Sequence, residues 1–167
     1  GLLFLGAGAV AHAAGTRDLE KLGGLLRRMP WTGAAFLAGS VAICGLPPFN
    51  GFAGEFLIYV GSFKTILAGG ELALGGVVAL VALALIGGLA AACFARAFGI
   101  VFLGEPRSPA AAAAHEAGAA MRMPMLLLAA LCLAIGLAIG FAVRFLEPAI
   151  AMLVDSAAVA EAARWTD

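Results

Sequence analysis

Two long apolar runs without a single charge are the feature that most constrains how this chain can fold. Residues 72–95 and residues 123–143 contain no Asp, Glu, Lys, Arg or His. About 20 apolar residues in an α-helix are enough to cross the hydrocarbon core of a bilayer, which is about 30 Å thick. Both runs therefore predict membrane-spanning helices.

The composition supports this interpretation for the whole chain. Of its 167 residues, 63% are hydrophobic and only 12% are charged, and the mean hydropathy is +1.07. A soluble domain carries about 25% charged residues, and a chain with half that share lacks the polar side chains to cover a globular surface. We expect an all-α, polytopic transmembrane helix bundle. The formal net charge of zero argues against a nucleic-acid partner.

A break interrupts the apolar stretch of residues 31–68. At residues 47–54 the sequence is PPFNGFAG, in which prolines remove N–H donors, glycines loosen the helix, and an amide can bond freed backbone groups. Each half holds about 15 residues, or about 22 Å of helix, which is too short to cross a bilayer alone. We therefore predict one discontinuous helix. The predicted break residues are Pro47, Pro48, Asn50, Gly51 and Gly54.

The distribution of basic residues supports a single broken span. If residues 31–68 cross once, the connectors 15–30 and 104–122 lie on the same side and carry most of the Lys and Arg. Two complete spans would divide these connectors between the two sides. The positive-inside rule favours the first arrangement, with both connectors in the cytoplasm. The predicted transmembrane part is 1–144, with helices at about 1–14, 31–68, 72–103 and 123–144, followed by an interfacial amphipathic tail at 145–167.

Glu55 is the main candidate functional residue because it follows the break directly and has apolar neighbours on both sides. A charge within the bilayer is costly, so a carboxylate there indicates function. Irregular backbone at that depth is tolerated where it is buried or lines a hydrated cavity. We interpret Glu55 as a proton relay. The alternative is a structural carboxylate that caps the first turn of the second half-helix.

Lys64 and His12 are weaker candidates for the same relay. Lys64 lies nine residues beyond Glu55, about 13 Å along a helix, and a lysine near a helix end can instead extend to the membrane interface. His12 lies near the cytoplasmic end of the first helix and can change charge near neutral pH, but a lone interfacial histidine can also be structural.

Gly6–Ala11, GAGAVA, matches the dinucleotide-binding pattern G-x-G-x-x-G/A but lacks its context. That pattern needs a preceding strand and an acidic residue about 20 positions later. We interpret these residues as small side chains that allow transmembrane helices to approach closely. The sequence indicates no catalytic residues, no metal ligands and no cofactor-binding site.

Several motifs together resemble a known family. LLFLGAGAV, GTRDLEKLGGLLRRMPWT and LPPFNGFAGEFLIY cover much of residues 2–59, and FARAFGIVFLGEP follows at 94–106. They are similar to the antiporter-like proton-translocating subunits of respiratory complex I, multisubunit cation/proton antiporters and membrane-bound hydrogenases. The resemblance is greatest to the antiporter-like membrane subunit of hydrogenase-4 and its counterpart in formate hydrogenlyase.

The resemblance implies a bundle of two inverted repeats, each with one discontinuous helix. It implies that this chain is a C-terminal fragment, and that Glu55 ends a central line of protonatable groups toward the exit side. The implied partners are other membrane subunits and a peripheral redox arm, in a prokaryotic inner membrane.

The sequence and the resemblance lead to one predicted function and two alternatives. We expect a non-catalytic part of an oxidoreductase complex that moves protons, without an electron carrier of its own. A component of a multisubunit Na⁺/H⁺ antiporter, or a stand-alone ion transporter, is the first alternative. A structural membrane subunit, in which Glu55 only caps a helix, is the second.

Overall fold

A computed structural model of the chain describes residues 1–70, 72–141 and 143–145, and these contain helices and no strand. The all-α fold class is therefore confirmed for the described residues. Two helices, Ala73–Phe102 and Ala119–Leu137, are long and apolar enough to span a membrane. The helices are α1 (Leu2–Ala14), α2 (Pro30–Ile43), α3 (Asn50–Ala68), α4 (Ala73–Phe102), α5 (Pro109–Ala113) and α6 (Ala119–Leu137).

Local sequence signals explain where these helices begin and end. Gly15 adopts a left-handed conformation with φ +64° and ends α1, as a glycine after a helix commonly does. Pro30 occupies the first turn of α2, where its missing N–H costs nothing. Ser108 accepts a hydrogen bond from the backbone N–H of Ala111 and so caps α5.

Helices α2 and α3 lie one after the other along the same neighbouring helix, α4. The two helices contact each other only slightly, whereas α4 packs against both. Near its start α4 brings Gly76 against the Ser62 carbonyl of α3. At its end Phe102 packs against Phe36 of α2 in a tilted arrangement, with ring centroids 5.4 Å apart. Two helices placed in succession along one antiparallel partner form a single discontinuous helix rather than a hairpin.

The break lies earlier than the sequence analysis placed it. The residues between α2 and α3 are 44–49, and they include the Pro47–Pro48 pair, whose peptide bond is cis. Asn50, Gly51 and Gly54, which we assigned to the break, are helical residues of α3. The physical reason is that prolines lack the donor a helix requires, whereas glycine within a helix costs only about 1 kcal/mol.

The other predicted helix boundaries differ from the observed ones by different numbers of residues. Helix α4 begins and ends within one residue of the predicted 72–103. Helix α6 begins at Ala119, four residues before the predicted 123, because the Met121 and Arg122 N–H groups bond the Gly118 carbonyl. The predicted tail 145–167 lies outside the described residues except for Phe145.

The two polar connectors meet at one end of the bundle. The Gly24 N–H donates to the Leu103 carbonyl at 2.9 Å, and the Ser108 hydroxyl donates to the Lys21 carbonyl at 2.8 Å. Beneath them Leu25 and Phe102 pack in one apolar cluster. The connectors therefore lie at the same end of the bundle, which agrees with the arrangement that a single broken span requires.

Candidate functional site

The Glu55 side chain reaches back from α3 into the break. Glu55 is half-buried and is the sixth residue of its helix. Its carboxyl group lies directly against the α-carbon of Gly45, so that a Cβ atom at Gly45 would overlap all three carboxyl atoms. The residue that we singled out from the sequence thus contacts the irregular backbone that separates the two half-helices.

Glycines at three places allow the break to close around this contact. Gly45 has φ +65°, a left-handed conformation that favours glycine. Gly51 lies so close to the Ala42 carbonyl that a side chain would collide with it. From the neighbouring helix α6, Gly136 lies in the same way against the Pro48 carbonyl. A larger residue at Gly45 would displace the Glu55 carboxyl group, whereas one at Gly51 or Gly136 would push the half-helices, or α6, apart.

The capping interpretation of Glu55 loses its geometric basis. Helix α3 begins at Asn50, and its first turn contains no acidic residue. A carboxylate stabilises a helix N-terminus mainly within that first turn. Within the described residues, Glu55 makes no hydrogen bond and no ion pair. Its carboxyl group lies against Gly45.

Lys64 lies on the same helix as Glu55 but away from the break. It is exposed, nine residues further along α3, a rise of about 13 Å. Together with Tyr59 and Leu80 it lines a cavity of about 520 Å³. The structure does not bring Lys64 to Glu55, so its relay role stays a prediction.

His12 is at the connector end of the bundle, far from Glu55. It is exposed in the last turn of α1 and lines a cavity of about 920 Å³ with Thr16 and Arg17. At the other end of α1, ten residues or about 15 Å away, Leu2 packs against Gly39 of α2. The break lies beyond that level, so His12 and Glu55 are not brought together.

One of the two glycines in the GAGAVA segment allows two helices to approach closely, as the sequence predicted. A Cβ atom at Gly6 would lie 2.9 Å from Phe36 Cδ2, so Gly6 permits the close approach of α1 to α2. A Cβ atom at Gly8 would have no atom within 4 Å.

Sequence reasoning missed two residues, Gly45 and Glu116. Gly45 directly precedes LPP, and a glycine just before a proline pair is a local signal that could have found it. Glu116 accepts hydrogen bonds from the Trp31 N–H at 2.8 Å and from the Thr32 hydroxyl at 2.5 Å. No local signal predicts a partner 85 positions away.

The described residues contain no group of three or more His, Cys, Asp or Glu side chains that could hold a metal ion. Cys44, Cys93 and Cys132 are free thiols. The arrangement at Glu55 is thus a carboxylic acid set in irregular backbone, within electrostatic reach of the buried Cys44 thiol, and a carboxylic acid can take up and release protons.

Comparison with known proteins identifies the family. Residues 1–78 match the family described as "NADH:quinone oxidoreductase/Mrp antiporter, TM". These residues belong to that family. The resemblance seen in the sequence motifs is thereby confirmed, and with it the transmembrane helical class.

Three curated relatives extend the similarity beyond residue 78. Hydrogenase-4 component B of Escherichia coli is 48% identical over 136 residues, 81% of this chain and 20% of that protein. Formate hydrogenlyase subunit 3 of Escherichia coli is 41% identical over 157 residues, 93% of this chain and 26% of that protein. NADH-quinone oxidoreductase subunit L of Mycobacterium tuberculosis is 38% identical over 133 residues, which are 76% of this chain and 19% of that protein. The chain thus spans about a quarter or less of the length of these relatives.

Proposed function

We propose that this chain is part of a proton-translocating membrane subunit of a redox-driven complex, of the hydrogenase-4 or formate hydrogenlyase type. The family match at residues 1–78 and the similarity to hydrogenase-4 component B support this assignment. The functional partners would be further membrane subunits and a peripheral redox arm, and the location a prokaryotic inner membrane crossed several times. The chain itself would move ions and carry no electrons.

Within this subunit, Glu55 relays protons at the break. The observation that carries this proposal is the contact between the Glu55 carboxyl group and Gly45, which puts a titratable group beside irregular backbone. Such backbone within a membrane protein is commonly found where ions bind. Glu55 accepts a proton on one carboxyl oxygen from the path on one side and releases it to the other. The carboxylate is regenerated after each transfer.

A second candidate function is cation/proton antiport. The family description names Mrp antiporters beside NADH:quinone oxidoreductase. The same carboxylate could exchange a proton for a sodium ion, since carboxylate oxygens bind both. The two functions differ in their driving force: antiport continues without an electron donor, whereas redox-driven translocation stops.

The experiment that tests the relay is Glu55→Gln in the full-length subunit within its complex. Glutamine keeps the size of the side chain and cannot exchange a proton. We expect normal assembly and a loss of about tenfold or more in the rate of proton translocation, because general acid–base groups contribute about 10²–10⁴-fold to the rate of proton transfer. Glu105→Gln, a surface carboxylate of the 103–118 loop, is the matched control and retains translocation. Unchanged translocation in Glu55→Gln would favour the structural alternative.

A further inference from the structure

We propose that Gly45 is a positioning residue for Glu55: the space left by its missing side chain is the seat that fixes the carboxyl group in the break. This inference rests on the proposed relay and deepens it. We call the contact of Gly45 with the Glu55 carboxyl group the Gly45 seat.

The first support for the Gly45 seat is steric. The carboxyl carbon and both carboxyl oxygens of Glu55 lie where a Cβ atom of residue 45 would be. Even alanine would therefore displace the whole carboxyl group rather than one oxygen. Because carbon and oxygen atoms cannot interpenetrate, every residue except glycine excludes this position of Glu55.

The second support is that the backbone of Gly45 is held in place. The Gly45 N–H bonds the Ala42 carbonyl at 3.3 Å, and the N–H of the next residue, Leu46, bonds the Val41 carbonyl at 3.2 Å. These bonds close the end of α2 onto its own last turn. The seat therefore moves with the first half-helix, whereas Glu55 moves with the second. The contact couples the two halves at the position of the titratable group.

Two properties favour glycine at position 45: the left-handed backbone conformation and the absence of a side chain. A control variant separates their effects. Gly15 has φ +64°, nearly the same value as Gly45, but a Cβ atom at Gly15 would have no atom within 4 Å. Alanine at either position has the same left-handed backbone penalty. Only at Gly45 does alanine also collide with Glu55. Gly15→Ala is therefore a matched control for the steric part of the effect.

The test compares Gly45→Ala with Gly15→Ala in the full-length subunit within its complex, by the rate of proton translocation. We expect Gly45→Ala to lower this rate about tenfold or more, because displacing a reacting group by about 1 Å can cost about 10²-fold in rate. Gly15→Ala should retain most of it. Glu55→Asp withdraws the carboxyl group by one methylene, so the double variant Gly45→Ala/Glu55→Asp should assemble without the collision but should not regain translocation, because its carboxyl group is also displaced.

The outcomes separate the Gly45 seat from the relay itself. If Glu55→Gln abolishes translocation but Gly45→Ala behaves as Gly15→Ala, the relay stands and the seat is overturned. If Glu55→Gln leaves translocation unchanged, the relay itself is overturned. The Gly45 seat is then overturned with it, because Glu55 has no proton transfer for which it must be positioned. Should Gly45→Ala fail to assemble, Glu55→Asp is expected to restore assembly by removing the collision, and failure to restore it contradicts the seat.

Discussion

The Glu116 carboxylate accepts a hydrogen bond from the Thr32 hydroxyl at 2.5 Å, and this contact joins the loop before α6 to the start of the discontinuous helix. The same carboxylate accepts from the Trp31 N–H at 2.8 Å. Thr32 is fully buried. The N-terminal N–H groups of α2 have no partners within the helix, and a carboxylate there also offsets the positive end of the helix dipole. Glu116 thus caps α2 from a different part of the chain.

Removing this cap should weaken the connector end of the bundle. We expect Glu116→Ala to lower the free energy of unfolding by about 1–3 kcal/mol, because it leaves the buried Thr32 hydroxyl and an N-terminal N–H without their acceptor. Chemical denaturation of the purified full-length protein in detergent measures the change. Glu105→Gln in the same loop breaks only the exposed ion pair with Arg27 and should have no measurable effect. Equal stability of the two variants would contradict the cap.

The two glycines of GAGAVA should respond differently to the same substitution. Gly6→Ala places a methyl group 2.9 Å from the Phe36 ring, and overpacking of this kind typically costs about 1–3 kcal/mol. Gly8→Ala meets no atom within 4 Å and should be neutral or stabilising by up to about 1 kcal/mol, since alanine favours helix. Denaturation midpoints of the two variants test this. Similar midpoints would show that Gly6 does not set the α1–α2 distance.

The contact of α6 with the break gives a third prediction. Gly136→Ala would collide with the Pro48 carbonyl, whereas a Cβ atom at Gly140, further along the chain, has no atom within 4 Å. We expect Gly136→Ala to reduce both the stability of the complex and its proton translocation, because α6 can no longer support the break. Gly140→Ala should leave both unchanged. Equal translocation by the two variants would contradict the support of the break by α6.

The shared side of the connectors can be tested by labelling. In a background without the three native cysteines, Glu20→Cys and Glu105→Cys should both react with a membrane-impermeant maleimide from the same side of the membrane. The reason is that the two connectors contact each other through Gly24 and Leu103. Lys64→Cys, at the far end of the discontinuous helix, should not react from that side. Labelling of Glu20→Cys and Glu105→Cys from opposite sides would contradict the single broken span.

The sequence predicted those features of the fold that local chemistry determines. The Pro47–Pro48 pair removes helix donors wherever it occurs, so a break could be expected near it. The apolar run that forms α4 can be predicted as a helix from its own residues, without knowledge of what packs against it. Its predicted limits agree with Ala73–Phe102 within a residue. Glycine alone does not break a helix, and for that reason our assignment of Gly51 and Gly54 to the break was wrong.

The remaining features depend on contacts between distant residues, which a single sequence does not specify. Gly45 receives the carboxyl group of Glu55 only because that side chain reaches back from α3 to the end of α2. Glu116 caps α2 only because its loop folds over the first connector. The position of Gly136 against the Pro48 carbonyl requires the packing of α6 on the break. In each case the decisive partner lies in another helix or loop.

The most direct test of the central claim is the redox-induced infrared difference spectrum of the intact complex. It detects protonation of a carboxyl group through its C=O stretching band, and Glu55→Gln identifies the band that belongs to Glu55. We predict a carboxyl band that changes during turnover, is absent in Glu55→Gln and persists in Glu105→Gln. A difference spectrum identical in Glu55→Gln and the unchanged protein would contradict proton exchange at Glu55.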